Sequence, residues 1–454
     1  MNSRTRRVTL KQDSDEPASR GIAFMLRALS HRNYKLFFSG QSISLIGTWM
    51  TRIATSWLVY RLTGSALLLG VVGFAGQIPS FLLAPFAGVL VDRWNRHRLL
   101  IATQVLALLQ SLALAILALT GVVQIWHVIL LSVLQGLINA FDMPARQAFV
   151  VEMVERREDL ANAIALNSSM VNAARLLGPS IGGVIIAAVG EGWCFMLDAI
   201  SYLAVIASLL AMKITPRMTK QIKEAKMLQQ LREGWKYTSG FAPIRKVLLL
   251  LALVSLVGMP YTVLMPVFAN EILHGGPNTL GLLMAASGVG ALIGALLLAA
   301  RKSVLGLGKF IPLMAGAFGA GLIAFSFSRS LWLSLLLMIV TGLGFMVQMA
   351  ASNTVLQTIV EEDKRGRVMS FYTMAFMGTA PFGSLLAGSV ADRIGAPHTL
   401  LIGGLGCIIG ALWFATSLPA LRQDVRPIYV KIGILPEMAA GIQNTSELSV
   451  PPET

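Results

Sequence analysis

Five charged side chains sit well inside otherwise apolar runs, away from the run ends: Arg52, Asp142, Arg146, Arg175 and Asp198. A charge at the centre of a bilayer costs about 2.5–3.5 kcal/mol on insertion scales, so such groups face a cavity or a partner. Arg52 recurs with Gln41, Ser44, Thr48 and Thr55 at three- and four-residue spacing, which draws one polar stripe along a helix. A guanidinium on that stripe would attract an anionic or catechol-like group; the alternative is an Arg that snorkels toward headgroups. Gln135, Asn139, Asp142 and Arg146 share a second face, and Asp142 and Arg146 stand in the i, i+4 register of a helical ion pair. That pair reads first as structural and second as a proton site on Asp142, with Arg175 and Asn172 close enough in depth to join it. Asp198 is a lone carboxylate in an apolar run, suited to carrying a proton or to lying at the interface. Gln348 and Tyr372, with Thr341, Tyr261 and several Met, give the later part of the chain an adaptable lining; packing or lipid contact is the plainer reading of each.

Other chemistries lack their residues. There is no Gly-x-x-x-x-Gly-Lys-[Ser/Thr] loop, no His-Glu-x-x-His, and the two cysteines, Cys194 and Cys407, have no metal-ligand spacing. No metal, no cofactor and no enzyme activity are expected.

The elements that must carry these residues are membrane helices. Only 13% of the 454 residues are charged, 55% are hydrophobic, and the mean hydropathy is +0.69; soluble domains carry about 25% charged residues. Twelve apolar runs are each long enough to cross a bilayer as a helix, which needs roughly 20 residues. Six lie at Leu36–Tyr60, Leu67–Val91, Leu99–Leu119, Trp126–Val150, Leu160–Val189 and Trp193–Met212. Six more lie at Ile244–Ile272, Leu280–Ala300, Gly308–Phe327, Leu331–Val355, Val368–Val390 and Thr399–Leu418. The expectation is an all-α membrane protein of two six-helix halves, 36–212 and 244–418. A basic tail (1–35), a polar linker (213–243) with an amphipathic segment Met227–Tyr237, and a polar C-terminal tail (419–454) complete it. The tails are expected to lie on the surface or to lack structure.

The net charge of +15 does not point to nucleic acid, because Lys and Arg fall in short blocks between the runs rather than on one face. With the N-terminus inside, 32 of the 37 Lys and Arg fall on the inner side and only Arg61, Arg329 and Arg393 on the outer. Both termini are therefore expected in the cytoplasm. Gly136-Leu with Glu155–Asp159 recurs as Gly342-Leu with Glu361–Arg365, and Gly178-Pro179 recurs as Ala380-Pro381, offset by 206 and 202 residues. Two nearly equal offsets indicate duplicated halves.

Gly88-x-x-x-Asp92-Arg93-x-x-Arg96 resembles the loop between the second and third helices of major facilitator superfamily transporters, with Asn95 where that family usually has Gly. The resemblance implies a latch between halves: Gly88 for close packing, Asp92 as anion, Arg93 and Arg96 as cations. Gly178-Pro179-x-x-Gly182-Gly183 resembles the fifth-helix motif of proton-driven drug exporters, with Ala174 in place of the leading Gly. Gly388-x-x-x-Asp392-Arg393 has the look of a second latch but falls on the outer side and reads as a turn. Arg32–Phe38, Thr63–Ala66, Phe141-Asp142-x-Pro144-Ala145-Arg146-Gln147 and Asp159-Leu-Ala-Asn162-Ala resemble the branch that contains the bacterial enterobactin exporter. This resemblance spans about Arg32 to Leu418. It implies the major facilitator fold and a multi-pass, monomeric carrier of the bacterial inner membrane. It implies export of a siderophore, drug or related small molecule by alternating access against protons, with lipid and no nucleic acid as partners. An importer or uniporter on the same fold, and a non-transporting sensor or scaffold, are the alternatives.

Overall fold

The computed structural model describes residues 26–154, 156–213, 227–301, 303–432 and 434, with side chains described at all of these except 84, 85, 88, 89, 92, 157 and 227–232. These residues are helices and short turns, with no strand among them. The first half comprises α1 (Arg32–Thr63), α2 (Ala66–Arg93), α3 (Arg96–Leu119), α4 (Ile125–Met153), α5 (Leu160–Val189) and α6 (Glu191–Leu210). A linker helix, α7 (Met227–Gly240), follows. The second half comprises α8 (Ala242–Ile272), α9 (Pro277–Ala299), α10 (Leu307–Phe327), α11 (Leu331–Ile359), α12 (Glu362–Ile394) and α13 (Ala396–Lys431). Among the described residues eleven helices are long and apolar enough to cross a membrane. The twelfth span is α1, 32 residues long, whose polar stripe lowers its apolar content. The result is an all-α membrane protein of two six-helix halves.

Local signals set the boundaries. Ser65 Oγ accepts from Leu68 N (3.3 Å) and starts α2, while Asn95 Oδ1 accepts from Arg98 N (3.1 Å) and starts α3. The residue that departs from the family's Gly is thus an N-cap. Two π-turns, Val254–Gly258 and Phe268–Ile272, interrupt α8 around Pro260 and Pro266. The break in α12 at Gly378–Thr379 precedes Pro381.

Three expectations are corrected. α13 does not stop at Leu418 but continues through Pro419 and Pro427 to Lys431, with Leu421 and Val425 buried. The residues 388–393 are helical, and the turn comes only at Gly395 with φ +86°. The start of the chain's described part packs on protein rather than lying free at lipid. A single 3-10 turn, Arg27–Ser30, donates from Ala28 N to Asn162 Oδ1 (2.9 Å) and pairs Arg27 with Asp159. His31 Nε2 donates to the same Asp159 (2.9 Å), and this hydrogen bond, with the Arg27 charge, holds the Asp159 carboxyl below the usual carboxylate range. The rest of the basic tail, most of the 213–243 linker before Met227, and 435–454 lie outside the described residues.

Helix direction defines two ends. At the tail end, where α1 begins and α13 finishes, Arg96 donates to Glu152 (2.7 Å) and His97 contacts Leu209 O (2.8 Å). At the far end Arg61 pairs with Glu191. Inside the second half α9 and α11 touch backbone to backbone. A Cβ on Gly290 would lie 1.9 Å from Ile339 O, and one on Gly342 would lie 2.0 Å from Ser287 O. Small residues let membrane helices approach this closely. Gly290→Val should therefore abolish accumulation of folded protein, read by size-exclusion of a fluorescent fusion. A monodisperse peak at wild-type height would contradict the packing.

Candidate functional site

The fifth-span motif is a two-sided wedge. Gly178 and Gly182, one turn apart, face α1: a Cβ on Gly178 would meet Trp49 Cβ at 2.5 Å, and one on Gly182 would meet Ile53 Cγ2 at 2.8 Å. Gly183 faces the other half, where a Cβ would lie 2.8 Å from Pro277 O and 3.0 Å from Gly281 Cα. Pro179 is buried in the same helix, and its carbonyl oxygen would lie 2.8 Å from a Cβ on Gly281. α5 is thus pressed between α1 and α9.

This packing fixes Trp49, and Trp49 carries two guanidiniums. Arg52 Cζ lies 4.6 Å from the centroid of its ring and Arg175 Cζ lies 5.6 Å from it. Arg52 is exposed and Arg175 half-buried, although Arg175 is near the midpoint of α5. A cation over a Trp face gains about 0.5–2 kcal/mol, less than the insertion cost of about 2.5–3.5 kcal/mol for each charge. Neither Arg has a hydrogen bond or a carboxylate within ion-pair distance among the described residues. Arg175 therefore does not join the Asp142 face as its depth suggested; it joins Arg52.

The two acids are satisfied. Asp142 is buried and accepts from Thr103 Oγ1 (2.9 Å) and Gln104 Nε2 (2.7 Å) of α3, and pairs with Arg146. Asp198 is buried between α1, α3 and α6, and accepts from Thr51 Oγ1 (2.9 Å), Ser111 Oγ (3.2 Å) and Ser201 Oγ (3.5 Å). The α1 stripe divides: Gln41 and Ser44 are buried, Thr48 donates to Ser44 O (3.0 Å), and Arg52 is its exposed member. Gln135 and Asn139 are half-buried and hydrogen-bond each other (3.2 Å).

The halves meet at the far end. Gly70 and Gly388 form a second crossing: a Cβ on Gly70 would lie 2.5 Å from Ser384 O, and one on Gly388 would lie 2.6 Å from Ala66 O. Phe382 packs on Phe74 and Phe81. Tyr60 Oη donates to Glu271 (2.6 Å), Asn270 Nδ2 donates to Tyr60 Oη (3.3 Å), and Ser65 Oγ donates to Asp392 (3.3 Å). Among the described contacts, these far-end bonds are the hydrogen bonds that link the halves. The crossings pair α5 with α9 and α2 with α12, which interchange when the halves are swapped.

The model of the transmembrane secretion effector family matches residues 25–431 of this sequence. The chain belongs to that family. The staphyloferrin A transporter of Staphylococcus aureus is 28% identical over 395 residues, covering 86% of this chain and 98% of the relative. The multidrug efflux pump Tap of Mycolicibacterium fortuitum is 28% identical over 385 residues, 83% and 93% of the two chains. In fold the chain is similar to a bacterial homologue of the human lysosomal transporter Spinster, solved in an inward-facing, unoccupied conformation. The TM-score is 0.69 at 14% identity, over 87% of this chain and 98% of that one. The fold is that of the major facilitator superfamily, and this member is a multi-pass membrane transporter of small molecules, not an enzyme.

The other candidate residues sort unevenly. Gln348 is fully buried, with Nε2 3.5 Å from Ser352 Oγ and Oε1 unpartnered among the described residues. Tyr372 Oη donates to Met349 O (3.1 Å) and is buried. Between Gly88 and Arg96, Arg93 is exposed and Arg96 binds Glu152, while the surroundings of Gly88 and the Asp92 side chain lie outside the described residues. Sequence reasoning passed over Trp49, although its i, i+3 spacing to Arg52 was available. It also passed over Gly70, Gly281 and Tyr60, which carry no local signal for a partner in the other half.

Proposed function

We propose that this transporter exports a small organic molecule across the bacterial inner membrane, acting as a single chain by alternating access with both termini cytoplasmic and with protons moving inward. The observation that supports this most is the pairing of a far end closed by two glycine crossings with an exposed Arg52 on the inner side of the Gly183 crossing along α1. With the tail end cytoplasmic, that is a carrier loading from inside. The distribution of Lys and Arg supports the orientation. The relatives named for siderophore transport and multidrug efflux support the kind of cargo. Rocking of one half against the other about the central site would open the far end.

The substrate is met by Arg52, with Thr48, Gln135, Asn139, Gln348 and Tyr372 as the polar groups nearest the lining. We assign the proton to Asp198 rather than Asp142. Asp142 is tied to Arg146, whereas Asp198 has only hydroxyl donors, one of them on Thr51 beside Arg52. Asp198→Asn should lower pH-driven transport at least about tenfold while leaving substrate counterflow near wild type. The measurement uses inverted vesicles with an imposed pH gradient. Efflux-type movement means accumulation inside these vesicles when their lumen is acid. The opposite sign would make the carrier an importer, and unchanged coupling in the Asn variant would remove Asp198.

A further inference from the structure

Resting on the transporter reading above, we propose that the Trp49 cluster between α1 and α5 takes a small organic molecule bearing at least two negative charges, held by Arg52 and Arg175 with its body against Trp49. The mid-span charges divide without remainder into satisfied and unsatisfied groups. Asp142, Arg146 and Asp198 each have partners. The two unsatisfied groups are both cations, and both lie on one indole. Two like charges are brought together on that ring by packing that a Cβ at Gly178 would destroy. α9, the second-half helix packed on α5, contains no Asp, Glu, Lys, Arg or His, and Glu271 of α8, which does reach α1, is engaged by Tyr60 at the far end. An occupant must therefore bring the counter-charge. Guanidinium forks bind carboxylates or sulfonates bidentately, and Arg keeps its charge whatever the pH. A flat or branched polyacid fits two forks on either side of an aromatic plate. A cationic molecule meets two uncompensated positive charges and is rejected.

The test uses full-length protein in lipid nanodiscs with four probes: succinate, citrate, benzene-1,3-disulfonate and, as cationic comparator, tetraphenylphosphonium. Binding is read by calorimetry and by the shift in thermal midpoint, since a ligand that binds only the folded state raises it. At least one polyanion should bind. Arg52→Gln and Arg175→Gln should each weaken it at least tenfold, Lys at either position less so, and added salt should weaken it in wild type. The empty double Gln variant should melt no lower than wild type, because the cost of the two charges it sheds exceeds what their contact with the Trp49 ring returned. Three results would overturn the proposal: no polyanion binds, a polyanion binds the double variant as well as wild type, or the double variant melts well below wild type. If tetraphenylphosphonium moves with the pH gradient while polyanions neither bind nor move, the substrate class falls and the carrier stands. If binding is as expected but no bound polyanion moves in either direction under a pH gradient or in counterflow, the site stands and the transport reading fails.

Discussion

Gly183→Leu should leave the protein folded, hold the far end open and cut transport at least about tenfold. Gly183 and Gly281 are reciprocal: each would place a Cβ 3.0 Å from the other's Cα and 2.8 Å from a backbone oxygen of the other helix. Backbone cannot retreat as a flexible side chain does, so α5 and α9 must separate. Overpacking of this kind costs about 1–3 kcal/mol. The contact lies between halves, so the cost falls only on the state in which the far end is closed. A penalty on one of two states shifts their ratio by roughly 5- to 150-fold. Spin labels at Leu62 and Ile394, exposed at the far ends of α1 and α12, should report a longer distance in the variant; the native Cys194 and Cys407 are buried. Gly182→Leu is the matched control. Gly182 faces Met50 and Ile53 of the same half, so the clash is present in both states and should lower the yield of folded protein instead. If Gly183→Leu lost transport with the far-end distance unchanged, the glycine pair would not be the closure.

That contrast marks how far the sequence could be read. The twelve spans were legible because lipid requires a long apolar helix wherever the chain crosses, and composition alone reports that. The Gly178–Gly183 motif was legible as close packing, but its division between two neighbours was not: glycine has no side chain to show which helix it serves. Gly388 failed for the same reason. Its Asp-Arg trailer suggested a surface turn, whereas the residue is packed against Gly70 in mid-helix. Arg52 was legible as a costly, unusual side chain because a charge in an apolar run carries that cost wherever it points. Arg175 was assigned to Asp142 on depth, which is a coordinate along one axis; rotation about the helix axis put it on Trp49 instead. The extension of α13 to Lys431 was hidden by Pro419 and Pro427, which interrupt a helix without ending it when neighbours bury its face. The polar stripe on α1 misled in part, since a hydroxyl or amide can be turned into the packing against α6 as readily as toward a cavity.

Asp142→Ala should be the most destabilising single change at a polar position. Removing it leaves Arg146 in a half-buried place without its anion, and deprives Thr103 Oγ1 and Gln104 Nε2 of their shared acceptor. Breaking a buried pair from one side costs about 3–5 kcal/mol, since a charge is stranded. For a six-helix half of roughly 200 residues, about 2–4 °C per kcal/mol applies, so the thermal midpoint should fall by on the order of 10 °C. Asp142→Asn keeps the shape and the hydrogen-bond acceptor but not the charge, and should fall by less. The double variant Asp142→Asn with Arg146→Gln should recover part of the loss, because no lone cation remains. Differential scanning fluorimetry of wild type, Asp142→Asn, Arg146→Gln and the double variant in one detergent gives the cycle, with Asp142→Ala measured beside them. A proton-carrying Asp142 predicts the reverse pattern: an Asn variant with a normal midpoint and transport that no longer responds to the pH gradient. The geometry favours the structural role, since three donors from two helices converge on this carboxylate and tie α3 to α4 around Pro144.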